Sequence, residues 1–208
     1  MNATSLALQQ AARTAVAATP YGQAEAAYRE GRRAYDAGQV EASLGALRRA
    51  ITLYPGHLPA RELLVDQLEM DDRAEEALAL LQQGLTIAPD YTPFRKRAAR
   101  LLLDRGTPTE AVGTLVGNGL PRVDADPELH RMLAALYRQL GENFLAAQTY
   151  RNLLVHDPQE GACWLALGDV LAADGQPGEA RRAYQRALAA ERLSREARAL
   201  ALARLAEP

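Results

Sequence analysis

The chain has 208 residues, of which 48% are apolar and only 5% aromatic, so a core must be packed mainly from Ala and Leu rather than rings. With 24 basic and 26 acidic residues the formal charge is -2, which excludes a general nucleic-acid binder with a strongly basic surface. The lone Cys163 excludes an intrachain disulfide, and no run approaches the roughly 18 to 20 apolar residues needed to cross a bilayer.

Residues 1–23 read as an N-terminal arm, weakly helical or disordered, with a short helix expected before Pro20. Its Asn2-Ala3-Thr4 triplet formally matches a glycosylation acceptor, and its abrupt, Ala-rich start fits a piece of a longer protein. Beyond it, Ala, Leu, Arg, Glu and Gln dominate, while β-branched runs of two-residue period are missing, so helices are expected and no sheet.

A repeat organises the remainder of the chain. Gly38, Asp72, Gly106, Gly141 and Gly175 are separated by 34, 34, 35 and 34 residues, and such positions suit the left-handed residue that ends the first helix of a pair. Small residues recur where two helices approach closely: Gly31, Val65, Ala99, Ala134 and Gly168, then Ser43, Ala77, Ala111, Ala146 and Ala180. Leu47, Leu81, Leu115, Tyr150 and Tyr184 supply the knobs opposite them. Pro55, Pro89 and Pro158 end second helices, because proline cannot continue a helix.

This pattern resembles the tetratricopeptide repeat. The resemblance implies an all-α, right-handed solenoid of five helix-turn-helix repeats spanning 24–57, 58–91, 92–126, 127–160 and 161–194. Residues 194–208 then form a capping helix over the last apolar face, with Ser194 as its N-cap. The third repeat departs from the pattern. Gly113, Gly117, Asn118 and Gly119 weaken its second helix and Pro121 arrives early, so a short helix or hinge is expected.

No chemistry-bearing constellation emerges. His57, His130 and His156 fall in different repeats and read as surface or boundary residues, without metal-ligand spacing. The carboxylate pairs Asp71-Asp72 and Glu75-Glu76 flank a helix start, where the dipole favours them. Cys163 beside Trp164 reads as packed. With no nucleophile arrangement and no phosphate loop, the expectation is a protein that is not an enzyme and takes no cofactor or metal.

In the solenoid that the resemblance implies, first helices line a concave groove. It carries Tyr28, Arg32 and Tyr35, then Glu62, Asp66 and Glu69, then Lys96, Arg97 and Arg100, then Arg131, Met132, Ala135 and Arg138, and finally Leu165, Asp169 and Ala172. Arg32, Asp66, Arg100 and Asp169 could form a self-neutralising ladder of ion pairs. Arg97, Arg131 and Arg138 lack evident acidic neighbours, and with Lys96 and Arg100 they form a basic floor suited to an acidic peptide. The carboxylate clamp of chaperone adaptors is not matched: its positions hold Tyr28, Arg32, Leu63, Pro93 and Arg97, of which only Arg97 agrees.

The second half carries a further likeness. "LPRVDADPELHRMLAALYRQLG", followed by the ending "WLALGDVLAADGQPGEARRAYQRALAAERLSREARALALARL" with its Leu193-Ser194 approach to the last helix, resembles the C-terminal region of MshN-type proteins of mannose-sensitive haemagglutinin type IV pilus biogenesis. That resemblance implies a scaffold for protein partners of a pilus or secretion machine on the periplasmic side of the bacterial inner membrane, this chain being a soluble fragment of an anchored protein or a diverged relative. A self-associating module, in which an end helix or the N-terminal arm packs on a second copy, and a general adaptor of another cell-envelope complex are the alternatives, and the alternative location is the cytoplasm.

Overall fold

A computed structural model describes residues 14–207; the predicted arm up to residue 13, including the Asn2 triplet, lies outside the described residues. From Pro20 on, the described residues form α1 (Pro20–Asp36), α2 (Val40–Leu53), α3 (Leu58–Met70), α4 (Ala74–Ile87), α5 (Thr92–Asp104) and α6 (Pro108–Val116). Then come α7 (Pro127–Gln139), α8 (Asn143–His156), α9 (Gly161–Ala173), α10 (Pro177–Ala189) and α11 (Arg195–Ala206). The only β feature among the described residues is an isolated bridge between Glu160 and Arg192.

Local chemistry sets the helix ends. Side chains of Thr19, His57, Asp126 and Ser194 accept from Gly22 N, Ala60 N, Leu129 N and Ala197 N at 3.0 to 3.1 Å, satisfying amides that a helix start leaves bare. Each of the five turn residues marked by the repeat spacing has positive φ, including Asp72 at 58°. The short third-repeat helix is also found: α6 has 9 residues and stops where Gly117 turns to φ 48°.

The helices pack as sequential pairs, α1 on α2, α3 on α4, α7 on α8 and α9 on α10, and each later pair leans on the helix before it through its first helix. The chain divides between Leu101 and Leu102 into two compact units. Small residues permit the close approach inside a pair. A Cβ on Gly31 would lie 2.8 Å from Leu47 Cγ, and one on Gly168 only 2.4 Å from Tyr184 Cε1.

A recurring bond joins consecutive pairs. The fourth residue of α3, α5, α7 and α9 is Arg61, Arg95, His130 and Trp164. Arg61 Nη2 donates to Pro55 O at 3.2 Å, Arg95 Nε to Pro89 O at 2.7 Å, His130 Nε2 to Pro121 O at 2.8 Å and Trp164 Nε1 to Pro158 O at 2.9 Å. Each proline follows the preceding second helix, so in each of these four first helices one N–H donor satisfies a carbonyl at the break. This corrects the expectation for the histidines. His57 and His130 are buried, one as a helix cap and one as this inter-pair donor, while His156 is exposed.

Candidate protein-interaction site

The predicted groove residues divide between the two units. In the unit ending at Leu101, Arg97 is not isolated as expected. Its guanidinium lies 2.6 Å from Asp66 Oδ1 and 2.8 Å from Glu69 Oε2, both one first helix earlier. Burial pulls the Arg97 pKa down, but the bonds to Glu69 and the field of Asp66 outweigh it and raise the value. The spacing hid this because Asp66 was aligned with Arg100, whereas the contact is made three residues earlier on α5. Lys96 and Arg100 are also engaged within the chain.

Glu62, another groove carboxylate, accepts from the Tyr91 hydroxyl at 2.5 Å, and that bond with burial pushes the tyrosine up to about 12. Tyr28 is half-buried, its ring 5.1 Å from that of His57. Arg32 is exposed and carries no ion pair among the described residues.

Tyr35 belongs to a feature the sequence did not reveal. A cleft of about 390 Å³ opens at the C-terminal ends of α1 and α3, lined by Tyr35, Asp36, Gly38, Val40, Gln67, Met70 and Asp71. Tyr35, Val40 and Met70 leave 37%, 44% and 73% of their surface exposed, and the Tyr35 hydroxyl donates to Met70 Sδ at 3.6 Å. Apolar side chains at the last turns of consecutive first helices were the available signal.

In the unit from Leu102 on, Asp169 gathers two hydrogen-bond donors and a third, longer ion pair. Tyr184 Oη donates to Oδ1 at 3.1 Å, Arg204 Nε lies 3.1 Å from the same oxygen, and Arg138 Nη1 lies 3.7 Å from Oδ2. Burial, then Asp169, pushes Tyr184 up to about 12. Arg138 therefore has the acidic neighbour that the sequence did not assign. Arg131 is exposed, with no ion pair among the described residues. Cys163 is buried, and burial pushes its thiol up to about 11, which disfavours the thiolate.

Among the described residues, no three His, Cys, Asp or Glu side chains gather as a metal site, and no helix is long and apolar enough to cross a membrane. The described residues offer polar and apolar contact surfaces.

Comparisons with known proteins agree with this architecture. YrrB, described as a tetratricopeptide protein with an unusual peptide-binding site, superposes with a TM-score of 0.66 at 14% identity, over 85% of this chain and 89% of its own. A MamA protein matches with a TM-score of 0.64 at 13% identity, over 80% and 90%. MamA from Desulfovibrio magneticus RS-1 matches with a TM-score of 0.60 at 16% identity, over 81% and 94%. These likenesses concern the fold. No curated protein matches the sequence. The tetratricopeptide repeat family model matches residues 67–195, and the chain belongs to that family.

Proposed function

We propose that the chain is a non-catalytic scaffold that holds segments of partner proteins against the exposed faces of its first helices. One observation carries this reading: the repeated positions of these helices are buried, whereas the positions that vary present Arg32, Tyr35 and Arg131 to solvent. Repetition builds the support, and variation supplies the contact surface. YrrB's peptide-binding site supports the reading by analogy of fold.

The basic floor enters in reduced form. Arg97 is neutralised by Asp66 and Glu69 and Arg138 lies beside Asp169, so an acidic segment is best matched to Arg131, or separately to Arg32. A role in mannose-sensitive haemagglutinin-type pilus assembly, with a periplasmic location, rests on the likeness of the second-half stretches alone.

The test is titration of a partner segment, first identified by capture on the full chain, against Arg131→Glu and Arg32→Glu. Affinity should fall severalfold and the loss should shrink at high salt, since exposed charges are screened over roughly 8 to 10 Å. Unchanged affinity for both variants removes the first-helix face from the account.

A second reading, self-association, is favoured by Leu200 and Leu202, which stay exposed on α11. Light scattering over a concentration series separates the two, and a persistent monomer removes this one.

A further inference from the structure

The cleft between the ends of α1 and α3 has a chemistry unlike the arginine faces. We propose that it receives a large unbranched or γ-branched apolar side chain of a partner peptide whose adjacent residues are Lys or Arg. The proposal rests on the scaffold reading and names what one bound segment carries.

Shape and surface come first. About 390 Å³ falls in the range of small-ligand pockets, about 300 to 1,000 Å³, and suits a side chain with its local backbone. Its apolar walls are Tyr35, Val40 and Met70, and the flexible methionine can adapt to an occupant. The Tyr35 hydroxyl bonds only a thioether, a weak acceptor that a peptide carbonyl can replace.

Charge selects the flanks. The two charged residues lining the cleft are Asp36 and Asp71, and neither forms an ion pair among the described residues. Elsewhere Asp66, Glu69 and Asp169 are held by arginines. Arg29, Arg32 and Arg33 line a neighbouring cleft with Asp36, but among the described residues the only charges bordering this apolar floor are the two carboxylates, which repel an acidic segment and attract an ammonium or guanidinium.

Gln67 is the independent sign of a ligand. Gln67 is among the residues that line the cleft, yet only 4% of it is exposed. Ser43 Oγ donates to Gly31 O at 2.8 Å, so the serine proton is committed and Ser43 can only accept from Gln67 Nε2, at 2.6 Å. That fixes the amide orientation and leaves Gln67 Oε1 buried with no donor. Buried acceptors are nearly always satisfied, and in this proposal a peptide N–H in the cleft supplies the missing donor once the lining side chains yield, because Oε1 itself is out of contact with solvent.

The probe is a capped Gly-Lys-Leu-Lys-Gly peptide added to the full chain, followed by amide and methionine-methyl nuclear magnetic resonance. With 3 methionines in the sequence, the Met70 methyl signal is readily assigned. Saturable shifts are expected at Met70, at Val40 and at the Gln67 side-chain amide. Gly-Glu-Leu-Glu-Gly and Gly-Lys-Ser-Lys-Gly should bind at least about tenfold more weakly. Asp36→Asn with Asp71→Asn should weaken the lysine peptide about threefold to tenfold, the range expected of two exposed charges, and abolish its advantage over the acidic peptide. Gln67→Met, which keeps the side-chain length, should weaken it about tenfold in a protein that still gives a folded spectrum.

Equal affinity for the acidic peptide, or shifts that avoid the cleft, overturns the proposal. Movement of the same cleft signals when the free protein is diluted also overturns it, because a second copy then fills the site. If the lysine peptide leaves the cleft unperturbed while a captured partner still binds the first helices, this inference fails and the scaffold reading stands.

Discussion

Arg95, a residue only 1% exposed, donates its Nε–H to the Pro89 carbonyl at 2.7 Å, and its Nη2 reaches Asp90 at 2.9 Å. The bond satisfies a carbonyl that the proline break leaves outside any helix. A buried polar group stripped of its partner costs about 1 to 3 kcal/mol, so Arg95→Leu should destabilise the protein by that amount. Thermal denaturation followed by circular dichroism measures it, and an unchanged melting temperature would refute the role given to the fourth residue of α5.

The same substitution should act with opposite sign at two glycines. At Gly168 the added Cβ meets Tyr184 at 2.4 Å, so Gly168→Ala overpacks the α9–α10 contact and should cost about 1 to 3 kcal/mol. At Gly113, inside α6, nothing lies within 4 Å of an added Cβ. Gly113→Ala should therefore stabilise the protein by about 0.5 to 1 kcal/mol through helix propensity. Denaturant titration of both variants tests the assignment.

These elements also mark how far the sequence could be read. Gly31, Gly168, Leu47 and Tyr184 were legible because helix packing repeats with the chain and leaves a period. The turn residues were legible for the same reason, down to the left-handed Asp72. Arg61, Arg95, His130 and Trp164 share one task but four chemical settings, so no residue-type pattern marks them. Arg97 was misread because long side chains reach a neighbouring helix at an offset that repeat alignment does not contain. The Tyr35–Met70 cleft draws on two helix ends whose residues are ordinary in each repeat alone.

Acid should loosen the junction of the first two helix pairs. His57 Nδ1 accepts from Ala60 N, so Nε2 carries the hydrogen that faces Glu25 Oε2 at 3.2 Å. Burial raises the Glu25 pKa, but hydrogen bonds from Arg29 and His57 outweigh it and hold the carboxyl below its ordinary value of 4.5. A lowered folded pKa gives stability that is present above the ordinary value and lost as pH falls through the folded one. Between about pH 5 and about pH 3 the parent protein should lose more stability than Glu25→Gln, a difference read by melts across that range. Parallel losses would contradict the linkage.

The segment around α6 should be the least protected part of the described repeats. Its helix is the shortest, at 9 residues, and Gly117 and Gly119 carry positive φ just beyond it. Amides 112–120 should exchange with deuterium faster than those of α9 and α10, whose residues pack into the core that includes Leu167, Leu171 and Tyr184. Equal protection would remove the expected weak point.

The central claim is that partners bind the first-helix faces, and the most direct measurement is hydrogen exchange of the full chain with and without a captured partner segment. The account predicts added protection on α1, α3, α7 or α9, with no change on the outer positions of α8 where Phe144 and Val155 stay exposed. Protection centred on Phe144 and Val155, with the first helices unchanged, would contradict it.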